Sequence, residues 1–328
     1  MPTNLPPEAE KAEQRYKEAK DPDEKIACLE EYISLIPKHK GTDHLRADLR
    51  RKLSKLREAA QVRKKTGKQI SPYHIDREGA GQVILLGPTN VGKSALVTAL
   101  TNATPEVSPA PFTTWGPTPG MMEVGKVQIQ LIDTPPLNPD YVEPELLNLV
   151  RRVDLILLMV DLKADPLEQL EQSVAILEEN RIIPAHRRHL HPDAPRYGVK
   201  PLLVLVNKHD DATDHEDYEI FCALMEEEWP CLPISARTTY NLDRLGWTVF
   251  ERLDIIRIYS KAPGQEPDLD SPFVMERGGT VEEFARKIHQ DFYHNLKSAR
   301  VWGKGVHDGQ LVGRDHVLHD EDVVELRI

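Results

Sequence analysis

QVILLGPTNVGKSALVTAL, residues 82–100, decides the fold class. An apolar strand runs into a loop of the pattern G-x-x-x-x-G-K-S (Gly87–Ser94), and the loop runs into an apolar helix. Glycines at 87 and 92 let the backbone curl so that successive N–H groups converge, and the helix N-terminus adds its partial positive charge at the same point. The concavity suits phosphate. Gly87, Asn90, Val91, Gly92, Lys93, Ser94 and Ala95 are its expected lining, with Lys93 bringing a cation to the β- and γ-phosphates and Ser94 a hydroxyl to Mg²⁺.

Downstream, short apolar runs alternate with helical stretches. VQIQLID (127–133), VDLILLMVD (153–161), PLLVLVN (201–207) and CLPISA (231–236) have apolar residues on both sides of the pleat, as strands of a buried parallel sheet do. The expected architecture is α/β: a mainly parallel sheet with helices on both faces, spanning 76–255. Two of these strands end in residues able to select a base. In NKHD (207–210), the Asp210 carboxylate can accept from guanine N1–H and N2–H₂, whereas adenine would leave it unpaired at a cost of several kcal/mol. Asn207 is expected to tie the loop together and Lys208 to lie along the base plane. ISAR (234–237) follows another strand, so Ser235 and Ala236 join the site, with the Ala236 N–H aimed at guanine O6. Asp133, closing VQIQLID, is expected to hold Mg²⁺ through water. In PFTTWGP (111–117), Thr113 or Thr114 can bring a second hydroxyl to the metal.

The remaining chain frames this domain. Residues 1–75 read as a helical region: Ile26, Leu29, Ile33 and Ile36 form one apolar face, and Leu45, Leu49, Leu53 and Leu56 recur at helical spacing through a basic segment. Between Pro37 and Lys68 there are twelve Lys or Arg against three Asp or Glu, although the whole chain carries −11. The basic helix (45–65) is therefore the first candidate for an RNA contact. Residues 181–200, with His186, His189 and His191, read as an irregular, solvated connection. From 256 onward IRIYSK, ARVWG and DVVELRI read as strands, and TVEEFARKIHQDF as a helix opened by a capping box of Thr280 and Glu283. A small α+β unit is expected over 256–328. The three cysteines include no close pair, so neither a disulfide framework nor a zinc site is expected. The most apolar run, LILLMV, is too short to span a bilayer, and no signal peptide is legible. A cytoplasmic protein without membrane contact is the expectation.

GPTNVGKS, FTTWGPTPG, DTPP, NKHD and SAR, in this order, resemble the Obg-like GTPases, and most closely the developmentally regulated GTP-binding (DRG) branch. IRIYSKAPGQEPDLDSP, GGTVEEFARKIHQDF and ARVWGKGV are similar to the TGS domain of that branch. The resemblance implies a Mg²⁺-dependent GTPase binding GTP and GDP, acting in translation or ribosome biology, with a β-grasp TGS domain as an RNA or protein contact and scope for a protein cofactor. It makes Thr114 the metal threonine. Asn90 matches an asparagine that in K⁺-activated relatives helps hold potassium against the phosphates; an asparagine serving the loop's turn conformation reads equally well. Lys93, Thr114 and Asn90 are then the catalytic candidates. The switch segment departs from the family: DTPPLNPDYVEP has four prolines in twelve residues and Pro136 where the pattern has glycine. Proline has no N–H for a γ-phosphate. Leu137 stands where many GTPases carry a water-orienting Gln. Two expectations remain: a slow GTP hydrolase with an altered switch, or a non-switching GTP-binding scaffold working through its TGS and basic-helix surfaces.

Overall fold

The computed structural model describes residues 71–101, 116–191 and 197–328, together with scattered residues between 12 and 53. Contacts divide the chain into two compact units, Met1–Ser71 and Pro72–Ile328. In the first, Ala12, Leu29, Tyr32, Ile36 and Leu49 are buried together, with Ile33 and Leu53 packed against them, while Lys52 is exposed. These leucines face inward, as a helix with a solvated basic side requires. Ile26, Leu45 and Leu56 lie outside the described residues, as does most of the basic segment.

The second unit opens with β1 (Gln82–Leu86), α1 (Lys93–Leu100), β2 (Thr118–Val124), β3 (Val127–Asp133), α2 (Pro144–Arg152), β4 (Leu155–Asp161) and α3 (Pro166–Glu179). There follow β5 (Ile182–Pro184), a 3-10 helix (Ala185–Leu190), β6 (Gly198–Lys200), β7 (Leu202–Asn207), α4 (Asp214–Leu224), β8 (Cys231–Pro233) and α5 (Leu242–Arg252). Six strands make one sheet in the order β2-β3-β1-β4-β7-β8, parallel except for β2. Strand alternation feeds two cores. Ile84, Leu86, Ile156, Leu158, Val204 and Val206 face α2, α3 and α4, where Leu149, Leu177 and Phe221 meet them. Val83, Leu85, Leu157, Met159, Leu203 and Leu205 face α1 and α5, against Leu96, Leu245 and Val249.

Two stretches differ from the sequence expectation. TPGMMEV, to which the sequence reading gives no element, forms β2, antiparallel to β3, with Pro119 and Gly120 inside the strand. Within 181–200, β5 and β6 pair in parallel, and His186 packs edge-on against Trp229 at 4.4 Å between ring centroids.

The C-terminal part contains β9 (Ile255–Ser260), β10 (Phe273–Glu276), α6 (Val281–Ile288), α7 (Gln290–Asn295), β11 (Ser298–Trp302), β12 (Gln310–Val312) and β13 (Asp322–Arg327). Its five strands order as β10-β9-β13-β11-β12, and Phe284 of α6 is buried against them with Ile256, Ile258 and Val301. Both halves of the expected capping box form: the Thr280 N–H donates to Glu283 Oε2 at 3.0 Å, and the Glu283 N–H to Thr280 Oγ1 at 3.4 Å. The helix expected as one piece is interrupted at His289, whose backbone is extended (φ −168°, ψ 151°).

Arg257 joins the two sheets. Its guanidinium lies over Trp247 and Phe250 of α5, at 5.1 and 5.3 Å from the ring centroids, and pairs with Asp320 at 2.7 Å and Glu321 at 2.8 Å. At the β2–β3 turn, Lys126 reaches across to Asp270. Among the described residues, no helix is long and apolar enough to cross a membrane.

Candidate functional site

Parallel strands all end on the same side of their sheet, so the loops after β1, β3, β4, β7 and β8 converge. The register brings Asp133 beside Leu85 and Asn207 beside Asp161, at neighbouring strand ends.

The loop after β1 needs its glycines. Gly87 has φ 146°, and a Cβ there would lie 2.3 Å from the Met159 carbonyl oxygen. Gly92 has φ 97°, and its Cβ would lie 2.5 Å from Asn207 Nδ2. Asn90 takes the left-handed conformation at φ 62° and is exposed, an arrangement asparagine tolerates better than most residues. Lys93 is buried and donates to the carbonyls of Gly87 at 2.9 Å and Pro88 at 2.8 Å. Burial pushes its ammonium pKa down to about 8, with Asp133 acting in the opposite direction.

Ser94 Oγ donates to Asp133 Oδ2 at 2.6 Å. Asp133 Oδ1 is buried and has no hydrogen-bond partner among the described residues. An unpaired carboxylate oxygen beside a hydroxyl is a hard-oxygen set that fits Mg²⁺. Thr113 and Thr114 lie outside the described residues.

On the base side, one side chain ties the loops. Asn207 Nδ2 donates to the Val91 carbonyl at 2.7 Å, and Asn207 Oδ1 accepts from the Ala236 N–H at 3.0 Å. The phosphate loop, NKHD and SAR therefore share one buried amide. Ser235, fully buried, donates from Oγ to Asp210 Oδ1 at 2.6 Å. Lys208, at φ 70°, pairs its ammonium with Asp161. His209 is buried and stacks on Tyr240, with centroids 4.6 Å apart and planes 11° apart.

Sequence reading missed three features beside this loop. Asp161 closes β4 as Asp133 closes β3, a signal available in VDLILLMVD but not used. Asp214 Oδ2 accepts the amides of Asp210 and Asp211 at 2.7 and 3.1 Å, and Lys163 sits 3.2 Å from its other oxygen. Arg237 Nη2 lies 3.0 Å from Asp210 Oδ2. The last two arise only from the folded chain.

The altered segment after Asp133 is fastened down. Thr134 Oγ1 donates to the Leu85 carbonyl at 2.6 Å, and the Leu137 N–H to the Gly87 carbonyl at 3.0 Å. Leu137 is buried in the core shared by Leu86, Leu146 and Leu149. Its side chain thus points into the apolar core.

Residues 82–188 match the family described as 50S ribosome-binding GTPase, and residues 256–328 the TGS domain. The chain is similar to an uncharacterized GTP-binding protein of Methanocaldococcus jannaschii, with 33% identity covering 93% of each chain. It is also similar to Developmentally-regulated G-protein 3 of Arabidopsis thaliana, with 28% identity over 92% of this chain and 98% of that one. A third relative is Ribosome-interacting GTPase 1 of Saccharomyces cerevisiae, at 25% identity over 92% and 98%.

The Asn207 bridge makes a specific prediction. Asn207→Ala strands the buried Val91 carbonyl and the half-buried Ala236 N–H and is expected to destabilise the protein by about 1–3 kcal/mol. Gly92→Ala is costly because its methyl meets the Asn207 amide, so the two substitutions together should cost less than the sum of each alone. Urea midpoints of the four proteins test this; strict additivity would contradict the contact.

Proposed function

The chain belongs to the Obg-like GTP-binding proteins of the developmentally regulated (DRG) type, and from that membership and the site geometry we propose a Mg²⁺-dependent GTPase of slow intrinsic turnover, acting on the ribosome or another RNA assembly. The observation that carries the nucleotide assignment is the Asn207 bridge, which places the phosphate loop and the base loop in one network.

In this reading Lys93 turns from the loop carbonyls toward the β- and γ-phosphates, whose charge keeps its ammonium protonated. Ser94, with Thr114 from the preceding segment, and Asp133 through water would hold Mg²⁺, which when bound would offset the negative charge of the phosphate oxygens. The amides of Asn90, Val91, Gly92 and Ala95 line the phosphates. Asp210 reads guanine N1–H and N2–H₂, supported by Ser235. The Lys208 stem lies along the base plane while Asp161 holds its head. Guanine O6 shares the Ala236 N–H with Asn207 Oδ1. Potassium at Asn90 is the proposed aid to turnover, because Leu137 offers nothing to orient a water.

A second reading, the GTP-holding scaffold, is favoured by one feature: Pro136 has no N–H, and the Leu137 N–H is spent on Gly87. Turnover separates the two readings. The family description and the yeast relative's name support a ribosomal partner for either. The basic segment is the first contact proposed, ahead of the TGS domain, where ten Lys or Arg face thirteen Asp or Glu. A cytoplasmic location accords with such a partner.

Two outcomes are expected. Asp210→Asn should weaken GDP binding by about a hundredfold or more and gain affinity for xanthosine diphosphate, because the amide NH₂ can donate to the xanthine O2; calorimetry that finds GDP binding unchanged would sink the guanine assignment. Neutralising the arginines and lysines at 50–57 should reduce co-sedimentation with ribosomes, most clearly at low salt; unchanged pelleting would clear that segment of the role.

A further inference from the structure

Asp210 is the residue on which base recognition rests, and its carboxylate is already committed. Its side chain is only 12% exposed. The Thr238 N–H donates to Ser235 Oγ at 3.0 Å, which orients that hydroxyl so that its proton goes to Asp210 Oδ1 at 2.6 Å. Oδ1 keeps a second lone pair, while Oδ2 faces Arg237, whose Nη2 stands 3.0 Å away as an ion pair. Lys163 is more distant, with Nζ at 3.9 Å from the same oxygen and 3.2 Å from Asp214.

Both possible occupants offer nitrogen donors to the same carboxylate. A guanidinium presents N–H donors and a positive charge. The Watson–Crick edge of guanine presents N1–H and N2–H₂ without a charge. Arg237 brings one nitrogen to one oxygen, whereas the base would bring two donors.

We propose that Arg237 is an internal competitor for guanine, its Nη2, 3.0 Å from Asp210 Oδ2, holding as an ion pair the oxygen that the base would use, so that base binding and release proceed by exchange of one donor for the other. The inference rests on the guanine reading of Asp210 given above. Two properties of the pair suit it to exchange. Arg237 is 75% exposed, so its side chain swings into water at little cost, and exposed ion pairs are weak. Asp210 is nearly buried, so an oxygen left unpaired costs free energy, and Arg237 offsets that cost at Oδ2 as the base departs, while Ser235 stays on Oδ1. The consequence is looser binding and faster exchange than the same pocket would show without the arginine.

The test uses the full chain, with nucleotide removed, and compares wild type, Arg237→Ala, Arg237→Gln and Asp210→Ala. Arg237→Ala should bind GDP about threefold or more tightly, and a fluorescent GDP chased with excess GDP should leave more slowly. Arg237→Gln, which keeps amide donors without the charge, should fall between. ADP binding, which owes nothing to Asp210, should not change. Because the competitor is an exposed ion pair, the gap between wild type and Arg237→Ala should narrow as KCl is raised from about 50 mM to about 500 mM. If Asp210→Ala loses GDP while Arg237→Ala binds it equally or more weakly, Arg237 is no competitor and the proposal falls. If GDP affinity is insensitive to Asp210→Ala as well, the guanine reading falls and takes the proposal with it.

Discussion

The Asn207 side chain is the contact on which the site depends. A carboxamide has one donor end and one acceptor end, and here both are used across loops distant in sequence: Nδ2 on the Val91 carbonyl and Oδ1 on the Ala236 N–H. The residue is buried, so neither bond can be replaced by water without opening the loops. Gly92 completes the constraint, since any side chain there would push the amide away. The spacing between phosphate grip and base grip is thus set by a single rigid group.

The opposite rim is governed by a different constraint. In DTPP, Thr134 and Leu137 hydrogen-bond to β1 and its loop, and the Leu137 side chain joins the apolar core. Prolines on both sides limit the backbone further. A segment held by its own core responds to a terminal phosphate less than a glycine-rich one does. From the Asp133 end of β3, the β2–β3 hairpin runs to the turn where Gly125 packs against Arg257 and Trp247 and Lys126 meets Asp270. The nucleotide half is thereby connected to the C-terminal sheet through a short hairpin and one stacked arginine.

The legible parts of the sequence were those in which local pattern and tertiary role coincide. QVILLG and PLLVLVN are apolar on both faces because each strand feeds two cores, and that pattern needs no neighbour to be read. GPTNVGKS was legible because backbone curvature demands glycine whatever surrounds it. Strand β2 was not, because Pro119 and Gly120 carry a loop signature, and only pairing with β3 makes the stretch a strand. The Lys208–Asp161 and Arg237–Asp210 pairs join segments 47 and 27 residues apart, so no local pattern announces them. Leu137 was legible as an apolar residue at a catalytic position, but its inward orientation was not, since burial depends on where α2 packs.

The proposed function requires that this chain bind GTP and hydrolyse it despite Pro136. Single-turnover conversion of GTP to GDP by purified protein in Mg²⁺, in KCl and in NaCl, with Lys93→Ala as the background, measures this directly. The account predicts slow conversion of GTP but not ATP, faster in KCl and lost in Lys93→Ala. Conversion no greater than in Lys93→Ala, with GTP still tightly bound, would contradict it and leave a nucleotide-holding scaffold.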